Sequence, residues 1–154
     1  MENLLNKCGN YRLDIACGTV KENGYLGVDK STESNADIIH DLTKGMPFCN
    51  NSAIEVRAYN FFEHLTNDQF IDLMWEIWRV LKPGGKVKFL VPHGLSETQI
   101  KDPTHRHNGF CEKTFTYFEA GHLRQKQYNL PPFTNIKAIR NGNSIEGEME
   151  AVKK

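Results

Sequence analysis

The sequence lacks most of the features that would assign it quickly. Its 154 residues hold nineteen Lys and Arg against nineteen Asp and Glu, so charge gives no support for binding a polyanion such as nucleic acid. No apolar run approaches the roughly 20 residues of a membrane span, and no membrane association is expected. The four cysteines, Cys8, Cys17, Cys49 and Cys111, form no Cys-x-x-Cys pair, which disfavours a zinc ribbon or a thioredoxin-type motif. Met1–Asn10 is too short and polar for a signal sequence, so these cysteines are expected as reduced thiols in a cytoplasmic protein. There is no internal repeat, no low-complexity linker and no Gly-x-Gly-x-x-Gly.

What remains is 39% hydrophobic and 25% charged, a balance that suits one globular domain over residues 1–154. The most informative stretch is Leu13-Asp-Ile-Ala-Cys-Gly-Thr19 followed by Gly24-Tyr-Leu-Gly-Val-Asp29. It predicts an apolar strand ending in a small-residue turn, then a second strand ending in a carboxylate. In nucleotide-binding α/β folds such a turn lets backbone approach a ligand, and such a carboxylate accepts hydrogen bonds from ribose hydroxyls. Only Cys17 to Gly24 separate the two strands, fewer than the dozen or so residues of an ordinary helical crossover. The first helix is therefore expected to be reduced or absent.

Further along, Arg12–Cys17, Tyr25–Asp29, Ala36–His40, Ile54–Asn60 and Lys86–Val91 read as strands. Asn67–Leu81 reads as a helix from the recurrence of Phe70, Leu73, Met74, Ile77, Trp78 and Leu81, capped by Thr66 or Asn67 and stopped by Pro83-Gly84-Gly85. Ser96–Gly109 reads as a polar loop and Glu112–Ala120 as a helix. Thr134–Arg140 and Ser144–Val152, joined at Asn-Gly-Asn, read as a hairpin. The order predicts a doubly wound α/β sheet with a mixed edge.

Several blocks of this chain resemble class I S-adenosylmethionine-dependent methyltransferases, the seven-stranded Rossmann-like group. They are Leu13–Thr19, Gly27-Val-Asp-Lys-Ser31, Asp41-Leu42, Pro47-Phe48, Asn60-Phe-Phe-Glu-His-Leu65 and Arg79-Val-Leu-Lys-Pro-Gly-Gly85, the last being the most specific. The resemblance covers Arg12 to about Pro92, and the hairpin fits the family's last two strands. It implies a Rossmann-like, mostly parallel sheet with a C-terminal antiparallel hairpin, S-adenosylmethionine as cofactor, and methyl transfer to an acceptor the sequence does not name. The chain is similar to short, stripped-down members: Ala16 and Thr19-Val20 replace glycines of the usual loop, leaving Gly18, and the helix after Asp29 is cramped. Missing helices would leave an apolar sheet face needing cover, so a homodimer or another partner is expected.

The resemblance also implies site residues. Ala16-Cys17-Gly18 would cradle the methionine part, and Asp14 would receive its ammonium group, directly or through water. Asp29, with Lys30 beside it, would hold the ribose. Asp41 would meet the adenine amine and Leu42 its ring. The backbone at Asn60 and Phe61 would contact the cofactor's amine. His64, His93, His105 and His107 are candidates for proton transfer or for positioning the acceptor, gathered near the methyl group, with Glu63 a weaker candidate. Imidazoles there could also bind a divalent ion, but no metal site is assigned. No Asn/Asp-Pro-Pro-Tyr block is present, which disfavours the amino-methylating DNA enzymes. Two alternatives stand beside this reading. One is a non-catalytic cofactor-binding subunit that activates or stabilises a partner. The other is a nicotinamide-dependent oxidoreductase, opposed by the missing glycine fingerprint and by the Leu-Lys-Pro-Gly-Gly block.

Overall fold

The computed structural model describes residues 9–154; Cys8 lies outside them. Seven strands form one sheet: β1 (Tyr11–Ile15), β2 (Leu26–Asp29), β3 (Ile38–Ile39), β4 (Ala53–Tyr59), β5 (Leu81–Pro92), β6 (Phe133–Asn141) and β7 (Ser144–Ala151). Their order is β3-β2-β1-β4-β5-β7-β6. The first five pair in parallel, while β7 runs antiparallel to both β5 and β6. This is the expected mixed sheet with a C-terminal hairpin. Between β1 and β2 there are only turns and bends, so the first crossover helix is absent.

The one long helix, α1 (Asn67–Val80), joins β4 to β5. Thr66 accepts from the Gln69 amide while the Gln69 side chain accepts from the Thr66 amide, a reciprocal cap that satisfies two otherwise orphaned donors. Its buried stripe is Phe70, Leu73, Met74, Ile77 and Val80. At the far end the Lys153 ammonium lies 3.0 Å from the Arg79 carbonyl and also meets that of Leu81, a cation at a helix C-terminus. Arg79 pairs with Glu76 and donates to the Phe48 and Met46 carbonyls. The arginine of the Arg-Val-Leu-Lys-Pro-Gly-Gly block thus ties the loop before β4 to the helix.

Three shorter segments differ from expectation. Glu112–Phe118 is a 3-10 helix, and the polar loop after β5 contains a short helix, α2 (Glu97–Lys101); α3 (Leu123–Gln127) was not foreseen. The 3-10 segment carries the core anchors Phe115 and Phe118, whose rings meet Phe89 of β5 and Phe133 of β6. The three-residue spacing of these anchors suits a 3-10 turn as well as an α-helix.

The two faces of the sheet follow from strand alternation and register. Leu13, Val56, Val87 and Met149 share one row, and Ala58, Phe89 and Gly147 the next. These point to the side where Phe62, Phe70 and Phe115 pack, and most are fully buried. On the other side, the rows read Arg12, Glu55, Lys86, Glu150 and Asp14, Arg57, Lys88, Glu148, Lys137. Lys88 pairs with Glu55 at 3.0 Å, Lys86 and Lys137 both reach Glu148, and Arg57 lies over the Tyr59 ring while holding Asp14. No helix covers this second face among the described residues.

That arrangement corrects the expectation of an apolar uncovered face. Positions in these two rows carry charges of both signs, most of which find an opposite partner nearby on the same face. These two rows give a homodimer no apolar driving force; the next row on the same face, Tyr59, Leu90, Glu146 and Ile139, keeps apolar side chains, Ile139 among them exposed.

Candidate functional site

The C-terminal ends of β1 to β4, with the loop after β5, open on a cleft of about 570 Å³. It sits where the strand order reverses between β1 and β4, the position at which open α/β sheets bind ligands. Its walls include Ala16, Asp29, Lys30, Asp41, Leu42, Asn60, Phe61 and His64, all foreseen from the sequence, together with His40, Thr43, Leu65, Gln69, Thr104 and Arg106, which were not singled out. Of these, Thr104 and Arg106 belong to the Asp102-Pro-Thr-His-Arg-His107 loop, whose Asp102, His105 and His107 suggest a substrate-loop role from the sequence.

Backbone geometry at the strand ends is unusual. Ala16 has φ 53° and Asn60 φ 53°, left-handed conformations outside glycine, and Gly18 has φ 56°. Asn tolerates this region; Ala does so at a cost of order 1 kcal/mol. The bend turns the chain sharply after β1 and leaves the Gly18 Cα facing open space. Gly18 then donates its amide to Asp29 Oδ2 at 2.9 Å, and Ser31 donates to Oδ1 at 2.8 Å. Asp29 is thereby fixed at the end of β2 with a second lone pair on each oxygen. Asp41 accepts from the amide and hydroxyl of Thr43 at 3.1 and 2.7 Å, and those bonds hold its carboxyl below the usual range. Leu42 is buried beside it.

Three of the foreseen cofactor residues stand differently. Asp14 is 1% exposed. Both its oxygens meet Arg57 at 3.0 Å and one accepts the Glu22 amide, so its carboxylate braces the β1–β2 turn and does not line the cleft. The Cys17 thiol lies against Gly27, where a Cβ would come within 2.9 Å of it. Burial, then Asp14 and Asp29, push that thiol up to about 11. Cys17 and Gly18 thus flank the cleft as backbone.

The four histidines separate into two groups. His64 and His105 meet edge to face with ring centroids 4.8 Å apart. The chain after β5 folds back over the strand ends, with the amides of Arg106 and His107 donating to the Glu63 carbonyl at 2.8 and 3.1 Å. His93 and His107 turn away. His93 accepts from the Leu95 amide and stands 3.8 Å from Glu112. His107 stacks on Phe110 at 3.8 Å and borders a separate apolar hollow with Phe70 and Tyr117. Burial drives its pKa down to about 4, which makes it a neutral packing ring. Adjacent loop residues face opposite ways, so the sequence run could not place all of them on one side.

Beside His64 lies Glu63, 2% exposed, with one carboxylate oxygen lacking any partner. Burial first, and Asp102 to a smaller degree, raise its carboxyl to about 7. His64 itself is shifted down by burial and by His105.

Comparison with protein-family models gives no match, and comparison with curated proteins gives none either. Solved structures do match. A methyltransferase described as SAM dependent from Archaeoglobus fulgidus superposes with a TM-score of 0.67 at 14% identity, covering 97% of this chain and 89% of that one. A chain of the complex between the Haloferax volcanii Trm112 methyltransferase activator and a methyltransferase gives 0.63 at 14%, covering 99% and 88%. Phosphoethanolamine N-methyltransferase 2 of Haemonchus contortus, in complex with S-adenosyl-L-methionine, gives 0.61 at 19%, covering 96% of this chain and 49% of that one. At these identities the likeness establishes the fold: this chain has the class I, Rossmann-like methyltransferase fold.

Proposed function

We propose that this chain binds S-adenosylmethionine in the cleft at the β1–β4 switch point and transfers its methyl group to an acceptor entering beside His64 and Arg106. The observation that carries the reading is the placement of Asp29 and Asp41 at the ends of neighbouring strands on one cleft wall, opposite the left-handed turns at Ala16 and Asn60. Two carboxylates lining one cleft suit a ribose and an adenine amine. The turns offer backbone to the methionine part, and the cleft volume lies within the usual range for such ligands. The phosphoethanolamine enzyme of this fold holds the same cofactor, which supports the choice.

When bound, the cofactor supplies an electrophilic methyl carbon and its own positive charge. The protein's part is position and exclusion of water. Asp29 and Lys30 would set the ribose, Leu42 and Asp41 the adenine, and the Asn60 and Phe61 backbone the ammonium group, a role for which the Arg57-bound Asp14 is not free. His64 stands at the acceptor end. Its Nδ1 lies 3.0 Å from the Thr104 hydroxyl, whose single proton goes to Asp102 at 2.6 Å. His64 Nδ1 must then donate, which leaves Nε2 with a lone pair able to accept the proton an oxygen or nitrogen acceptor loses.

Calorimetric titration with S-adenosylhomocysteine tests the cofactor assignment. Asp29→Ala and the gentler Asp29→Asn should weaken binding by about 1.5–3 kcal/mol, the loss of charge-assisted hydrogen bonds, with the fold intact by circular dichroism. Equal affinities, or no binding by the wild type, would sink it. A second reading, a cofactor-binding subunit that supports a partner enzyme, draws on the neighbour found with a methyltransferase activator. Methyl transfer by the isolated chain decides against it. A cytoplasmic setting fits the unbridged thiols Cys17 and Cys111 and the lack, among the described residues, of any helix long and apolar enough to cross a membrane.

A further inference from the structure

We infer that Glu63, His64 and His105 form a binding site for a divalent transition-metal ion of the zinc type, at the acceptor end of the cleft. One potential ligand atom from each of the three lies within 4.8 Å of those from the other two. The set of two imidazoles and one carboxylate is a ligand combination that such ions take, with further coordination positions left for water or substrate.

Two independent features point to an ion and not merely to a polar loop. The first is Glu63, whose buried carboxylate oxygen has no hydrogen-bond partner. A buried acceptor without a donor costs free energy that a cation would offset. The second is the state of the imidazoles. His105 Nδ1 lies 3.1 Å from the Gln99 carbonyl, which can only accept, so this nitrogen carries the proton. His64 Nδ1 donates to the Thr104 hydroxyl, itself fixed by Asp102. Each ring therefore has its Nδ1–H tied to an outer partner, with its Nε2 turned away from that partner. This is how metal-ligating histidines are held. Asp102 lies 3.4 Å from His105 Nε2 and adds negative charge near the site.

The ion would take the His64 lone pair that otherwise accepts a proton directly, and it would polarise an acceptor oxygen held on its open side. Binding itself needs neither cofactor nor acceptor, so its outcome is separate from that of the methyl-transfer reading.

The test is calorimetric titration of the full chain, stripped with chelator, with zinc chloride alone. Cobalt(II) absorption serves as a second readout, and magnesium as a hard-ion comparison. One zinc per chain is expected, with magnesium much weaker. His64→Ala, His105→Ala and the volume-conserving Glu63→Gln should each weaken zinc by more than about tenfold and remove the cobalt visible bands. Thr104→Val, which leaves all three ligands in place, should weaken it by about 10–100-fold through loss of the His64 partner. Circular dichroism checks that each variant is folded; should an alanine variant unfold, Glu63→Gln and Thr104→Val still decide. No zinc binding by the wild type, or binding unchanged by Glu63→Gln and Thr104→Val, overturns the site.

Discussion

On β5, Phe89 lies between Ala58 and Gly147, stacked on Phe115 at 4.0 Å and fully buried. One residue earlier on the same strand, Lys88 lies between Arg57 and Glu148, paired with Glu55 and part exposed. The contrast repeats along the central strands. One face is stabilised by apolar area removed from water, the other by charges that find partners across strands while staying wet. A class I sheet normally needs helices on both sides. Here one set is missing among the described residues, and the exposed face carries two rows of charges in its place. The price of losing a helix is then reduced where the two charged rows lie, while Tyr59, Leu90 and Ile139 in the next row keep some apolar surface on that face.

The comparison can be broken most forcefully on the covered side. Phe89→Ala should destabilise the protein by about 3–5 kcal/mol in urea unfolding, from lost transfer energy and the cavity left beside Phe62 and Phe115. A loss under 1 kcal/mol would mean that this face is not the core.

Next in size is the one place where the charged face is buried. Asp14→Ala removes the buried carboxylate from Arg57, leaving it only Glu22 at 3.8 Å and the Tyr59 ring, and should cost about 3 kcal/mol, whereas Asp14→Leu combined with Arg57→Met should return close to wild type. If the single and double variants are equally destabilised, the pair matters through shape and not through charge.

A pH experiment follows. The Glu63 carboxyl is raised by burial from its ordinary 4.5 to about 7, so the folded state favours its protonated form. Its contribution to stability is full below about 4.5 and is lost as pH rises through about 7. Glu63→Gln should therefore gain on wild type across that window, by about 2–3 kcal/mol, and keep the gain above it. Unfolding in chelator at a series of pH values measures the difference, in which the shared neighbours His64, His105 and Asp102 largely cancel. A flat difference would refute the assignment.

The smallest effect belongs to the wet part of the charged face. Lys88→Ala, which breaks the pair with Glu55, should change stability by about 0.5 kcal/mol or less and less still in high salt. A loss near that of Phe89→Ala would overturn the distinction between the faces.

Much of the fold was legible because it rests on local pattern. The apolar recurrence and caps of α1, the Pro-Gly-Gly stop, the hairpin turn and the short β1–β2 connection each have a near-neighbour cause. The site was legible to the same depth: Asp29, Asp41, Leu42, Asn60 and Phe61 follow strands, and strand ends in a parallel sheet share one edge. The role of Asp14 was not legible, since its partner Arg57 is 43 residues away. Neither was the separation of His105 from His107, which depends on how one loop folds back onto the Glu63 carbonyl.

By itself, then, the sequence determined which segments became strands, that the first crossover helix would be missing, and that acidic residues would end β2 and follow β3. These follow from periodicity, turn chemistry and chain length. Only the tertiary structure decided that the helix-free face carries rows of paired charges, that two of four histidines join Glu63, and that the other two lie apart, His93 by Leu95 and Glu112 and His107 on Phe110. Those outcomes depend on register between strands and on a loop returning across the sheet edge. Both are set by contacts between residues far apart in the chain, and no local pattern encodes them.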